Sequence, residues 1–97
     1  MLLNVFKGMY LVVDVLRGVI VYRGNEFTIE DVVEQMKELY SEYPSYLPYS
    51  DNVDITEIDF DSEFVYIGLN DYSKSKWFKL DELSLLVDVL YSLNKDL

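Results

Sequence analysis

Two stretches of the chain carry an apolar stripe at helical spacing, and each is preceded by short β-forming runs. The first stripe is Ile29, Val32, Val33, Met36, Leu39 and Tyr40; the second is Leu83, Leu86, Val87, Leu90 and Leu93. Apolar residues three and four apart share one helix face, and that face must be buried against another layer. The strand-like runs supply that layer. The pattern therefore predicts an α+β fold, a small antiparallel sheet with two or three helices packed on one face. Ninety-seven residues make one domain, 1–97, and a hydrophobic content of 51% is enough to fill its core.

The elements follow in order. Val19 to Tyr22 reads as a buried strand, and Arg23-Gly24-Asn25-Glu26 as a turn leading to Phe27. Thr28 is a good N-cap, with Asp31 three residues on, so a helix is expected from about Ile29 to Tyr40. Residues 41–52 form a loop holding both prolines. Strands are expected over Asp54–Phe60 and Phe64–Leu69, joined around Asp61-Ser62-Glu63. The second is apolar on both faces, as suits a central strand. A turn from Asn70 to Lys76, a short strand at Trp77-Phe78 and a helix over Asp81–Leu93 complete the chain. Trp77 is expected in the core or at a sheet edge.

The first seventeen residues read less clearly. Leu2, Val5, Phe6, Met9, Val12, Val13 and Leu16 follow a helical spacing, with Gly18 placed to end the helix. The β-branched Val5, Val12, Val13 and Val15, and Gly8 in mid-run, support a competing strand over 9–15. Helix is the expectation. There is also an internal echo: Phe27 to Val32 matches Phe78 to Leu83 at an offset of 51, which also aligns Leu39-Tyr40-Ser41 with Leu90-Tyr91-Ser92. Tyr22-Arg-Gly24 and Tyr66-Ile-Gly68 correspond with a longer turn. Either a unit is duplicated, or two helices with acidic first turns resemble one another because the helix dipole favours acids there.

Composition excludes much chemistry. The chain has no His and no Cys, so no disulfide, zinc finger, thiol nucleophile or Ser-His-Asp triad can be built. Its 18 acidic residues against 8 basic give a net charge of −10. That field repels nucleic acid and acidic lipid, so neither is an expected partner. No run reaches the roughly 20 apolar residues of a membrane span, and no targeting segment is expected. The expected location is cytoplasmic, in the host cell if the chain is phage-encoded. Isolated glycines exclude phosphate loops, and Asp59-x-Asp61-x-Glu63 lacks the glycine and closing glutamate of an EF-hand. No catalytic role, cofactor or metal is expected.

The charge is not evenly spread. Residues 38–73 hold nine acids and no base: Glu38, Glu42, Asp51, Asp54, Glu57, Asp59, Asp61, Glu63 and Asp71. Asp59, Asp61 and Glu63 alternate with Phe60 and Ser62; in an extended strand, residues two apart face the same way about 6.6 Å apart. That spacing is comparable with successive phosphates of one nucleic-acid strand. Beside them Tyr40, Tyr43, Tyr46 and Tyr49 recur every third residue among Pro44 and Pro48. In a polyproline-II segment those rings share one side, and tyrosine is favoured at interface hot spots. The candidate partner-binding residues are therefore Asp51, Asp54, Glu57, Asp59, Asp61, Glu63, Tyr43, Tyr46 and Tyr49.

A carboxylate row and exposed tyrosines suit a protein-binding face and not a substrate cleft. The leading expectation is a small acidic inhibitor or decoy. It would bind a basic protein with a nucleic-acid-binding groove, of the nuclease or CRISPR-effector class, by phosphate mimicry. Counter-defence proteins of phages and mobile elements share this size and charge. The alternatives are an immunity protein or antitoxin neutralising a basic nuclease toxin, and a self-associating structural or regulatory domain. In the last case the N-terminal helix would form a homodimer contact, burying Leu11 and Val15.

Overall fold

A computed structural model of the chain describes residues 4–6, 9–47 and 53–97. Among these residues seven strands and two α-helices follow in order: β1 Asn4–Phe6, β2 Met9–Asp14, β3 Val19–Tyr22, β4 Asn25–Thr28, α1 Ile29–Glu42, β5 Ile55–Phe60, β6 Phe64–Leu69, β7 Lys76–Lys79 and α2 Ser84–Lys95. The fold is α+β. It has two antiparallel sheets where the sequence suggested one: a four-stranded sheet in the order β1-β2-β3-β4 and a three-stranded sheet β5-β6-β7. No helix among the described residues is long and apolar enough to cross a membrane.

Among the described residues the expected N-terminal helix is absent; residues 9–14 form a strand. Leu11 pairs with Tyr22 and Val13 with Ile20 across β2 and β3, and all four side chains are buried. Val12 faces the other way, opposite Val21, so this strand is apolar on both sides. Adjacent apolar residues then imitate the i, i+1 pairs of a helical stripe, and the period alone misleads. The β-branched valines were the better signal. Gly18 does not cap a helix. It lies at the end of the β2–β3 turn with φ +69°, a conformation glycine adopts without a Cβ penalty. Leu11, which the homodimer reading would bury in a contact, is already buried in this chain's own core, while Val15 is exposed.

Two positive φ values, Arg23 at 52° and Gly24 at 83°, make the β3–β4 connection a two-residue turn of the hairpin kind. Helix α1 then starts as its cap predicts, with Thr28 Oγ1 accepting from the Asp31 amide at 3.1 Å. Helix α2 starts later than expected. Leu80–Glu82 forms a separate 3-10 turn, and Leu83 is extended before α2 begins at Ser84. Leu80 is fully buried and its amide bonds the Glu63 carbonyl, so the acidic pair Asp81-Glu82 belongs to this pinned turn and not to the helix.

Each half of the molecule is a three-strand meander followed by a helix, β2-β3-β4-α1 and β5-β6-β7-α2. The pairing registers agree as well. Ile20 lies between Val13 and Phe27 as Val65 lies between Phe60 and Phe78, and Leu11–Tyr22 corresponds to Ile58–Ile67. A single offset does not. By register the counterpart of Tyr22 is Ile67 and not Tyr66, and buried Tyr40 has no match in exposed Tyr91. The longer β6–β7 turn and the extra 3-10 turn shift the frame. One core joins the halves, running through Leu11, Ile20, Val32 and Met36 to Val65, Ile67, Leu86 and Leu90.

Candidate protein-binding face

The three-stranded sheet turns Ile58, Phe60, Val65, Ile67 and Leu69 toward the core. Side chains alternate along a strand, so Glu57 and Asp59, Phe64 and Tyr66, and Trp77 and Lys79 share the opposite face. A bulge between Ile55 and Glu57 sets this phase on β5. Across the sheet Asp59 pairs with Tyr66 and Tyr66 with Trp77, while Phe64 pairs with Lys79. The Tyr66 and Trp77 rings meet at 5.3 Å with a 50° tilt, and Trp77 on the edge strand is 53% exposed.

Gly68 shapes this face. A Cβ there would stand 2.7 Å from Glu57 Cγ and 3.2 Å from Tyr66 Cε2. The Glu57 stem therefore crosses over the bare glycine backbone and lies beside the Tyr66 ring. Glycine in a strand interior often marks such a close approach. The result is a patch with two exposed carboxylates, Glu57 and Asp59, against an aromatic pair.

The other candidates are dispersed. Asp54 is exposed just before β5, where its amide bonds the Asn70 side-chain oxygen. Asp61 and Glu63 are not part of a strand row, which corrects the expected ladder with Asp59. Both lie in the β5–β6 turn, and Asp61 Oδ1 accepts from the amides of Glu63 at 2.8 Å and Phe64 at 3.0 Å. An aspartate side chain forms such turns by accepting from backbone amides two or three residues on, so Asp61 builds the hairpin. Asp51 and Tyr49 lie outside the described residues.

The tyrosines do not form a polyproline-II stripe. Residues Pro44–Tyr46 form a 3-10 turn, Tyr40 is buried, and Tyr43 is exposed. The Tyr43 and Tyr46 rings meet edge to face at 6.5 Å. Tyr46 donates to Asp88 Oδ2 at 2.7 Å, and that bond pushes its phenol pKa up, because the carboxylate accepts only from the protonated form. The sequence reading missed Tyr66 and Trp77 as surface residues. Their signal was the parity of Phe64, Tyr66 and Gly68 against Val65, Ile67 and Leu69, which puts rings on one face and aliphatics on the other.

Among the described residues no group of three or more Asp or Glu is placed to hold a metal ion. Among the described residues Arg17 reaches Glu26 at 2.9 Å and Asp14 at 4.0 Å, and Lys74 reaches Asp71 at 3.8 Å, all at the surface. Comparison with protein-family models, with curated proteins and with solved structures finds no match for the chain.

Proposed function

We propose that this chain is a small acidic binding protein that occupies the nucleic-acid site of a basic partner in the cytoplasm, acting as an inhibitor or decoy with no chemistry of its own. The observation that carries the reading is the placement of Glu57 and Asp59 beside the half-buried Tyr66 and the exposed Trp77. A groove that reads nucleic acid is lined with Arg and Lys. Arginine is suited to this patch twice over, by charge-assisted bonds to carboxylates and by stacking on aromatic faces. Strand-borne side chains are held more rigidly than loop-borne ones, which lowers the entropy lost on docking. The mimicry is thus of a phosphate paired with a base, one carboxylate against one ring, and not of a phosphate row.

The test is capture of the partner from host lysate, followed by competition with nucleic acid. Glu57→Gln with Asp59→Asn is expected to weaken binding by about tenfold or more, or roughly 1.4 kcal/mol. Glu34→Gln with Glu82→Gln, the same charge change elsewhere, is expected to weaken it little. Simultaneous binding of partner to nucleic acid and to this chain would overturn the reading.

A further inference from the structure

The helices α1 and α2 lie side by side, and the seam between them opens into a groove of about 650 Å³. Its floor is apolar, formed by half-buried Leu39 from α1 and by buried Val89 and half-buried Leu93 from α2. Its walls carry Glu38 and Glu42 on one side and Asp88 and Asp96 on the other, and no Lys or Arg lines it. Tyr46, just past the end of α1, bonds Asp88 near the start of α2, so the helices run antiparallel and acids flank both ends of the groove.

Three considerations fix what fits there. An apolar floor between charged walls matches an amphipathic segment and not a uniformly polar one. The wall carboxylates sit at helical intervals, Glu38 and Glu42 one turn apart and Asp88 and Asp96 about two, at about 5.4 Å per turn. A helix laid along the seam presents its own side chains at that same pitch. Finally, Glu42 stands in the last turn of α1, which holds no basic residue, where the helix dipole disfavours an acid. Glu38 adds a like charge one turn away. A cationic occupant relieves both.

We propose that this groove docks a basic amphipathic helix of a partner protein. Its apolar face lies on the half-buried Leu39 and Leu93, above the buried Val89, and its Lys or Arg side chains meet the four carboxylates. This is the helix-in-groove mode of recognition, with Tyr46 holding the Asp88 carboxylate in place. The inference does not depend on the sheet face and concerns the opposite kind of contact, a groove that receives.

The probe is a synthetic Lys/Leu peptide of about 18 residues, long enough to form a helix when bound, patterned with leucines at i, i+3, i+4 and i+7. A permuted peptide of identical composition but no amphipathic pattern is the control. Titration calorimetry is expected to give at least about tenfold tighter binding of the patterned peptide. Amide shift changes are expected to map to α1 and α2. Glu38→Gln with Glu42→Gln, both exposed positions, is expected to weaken the patterned peptide severalfold. Glu57→Gln with Asp59→Asn should leave it unchanged, which separates this groove from the sheet face. Equal affinity for the two peptides, or full affinity in the Glu38/Glu42 variant, would overturn the proposal.

Discussion

The buried hydroxyl of Tyr40 donates a 2.7 Å hydrogen bond to the carbonyl of Val53. It ties the end of α1 to the chain where it returns toward the three-stranded sheet. Burial, and the nearby Asp54 carboxylate, raise the Tyr40 phenol pKa. Tyr40→Phe keeps the ring and orphans the carbonyl, so it is expected to cost about 1–3 kcal/mol in denaturant unfolding.

The same contact has a pH signature. A group whose folded pKa is raised contributes stability that is complete below its unfolded value, about 10 for tyrosine, and is lost as pH rises through the folded value. Wild type is therefore expected to lose more stability than Tyr40→Phe as pH rises above about 10. Tyr46, raised by its bond to Asp88, leaves the variant a smaller alkaline loss. Parallel pH profiles of the two proteins would contradict the assignment.

Leu86 is fully buried where α2 meets the shared core. Leu86→Ala is expected to cost about 2–5 kcal/mol through lost transfer energy plus a cavity. A melting temperature within a degree of wild type would mean that α2 does not pack there.

Salt should stabilise the free protein. Nine acids fall in one base-free stretch, and Asp71 is the only one of them in an ion pair among the described residues. Screening of exposed like charges acts within about 10 Å at 0.1 M salt. A melting temperature that rises from low to physiological salt is the expected result.

Gly68→Ala probes the sheet face without emptying the core. The added methyl displaces the Glu57 stem, which is exposed and free to swing outward, and shifts the Tyr66 ring slightly. Near-ultraviolet circular dichroism of the Tyr66–Trp77 pair is expected to change while the far-ultraviolet spectrum does not. Stability is expected to fall by less than for Leu86→Ala.

Where local chemistry and burial period agree, the elements were legible in sequence: the Thr28 cap and the stripe of α1, and the all-apolar β6. Reading failed where two signals share a spacing. Val12 and Val13 are apolar on both sides of a strand and so resemble a helix. Asp59, Asp61 and Glu63 alternate as in a strand, yet Asp61 satisfies two amides in a turn and ends the alternation. The groove between α1 and α2 was not legible at all, because Glu38, Glu42, Asp88 and Asp96 meet only through helix docking. Their separation along the chain gives no hint of that.

Every strand in both sheets hydrogen-bonds only to strands adjacent to it in the chain. The consequence is kinetic. Little loop-closure entropy is lost before each meander gains its hydrogen bonds, and rates rise as contacts become more local. The docking of α2 onto α1, with the Asn25–Asn94 side-chain bond and the shared core, is then the step that joins distant parts of the chain. Substitutions in that joint should therefore speed unfolding more than they slow folding.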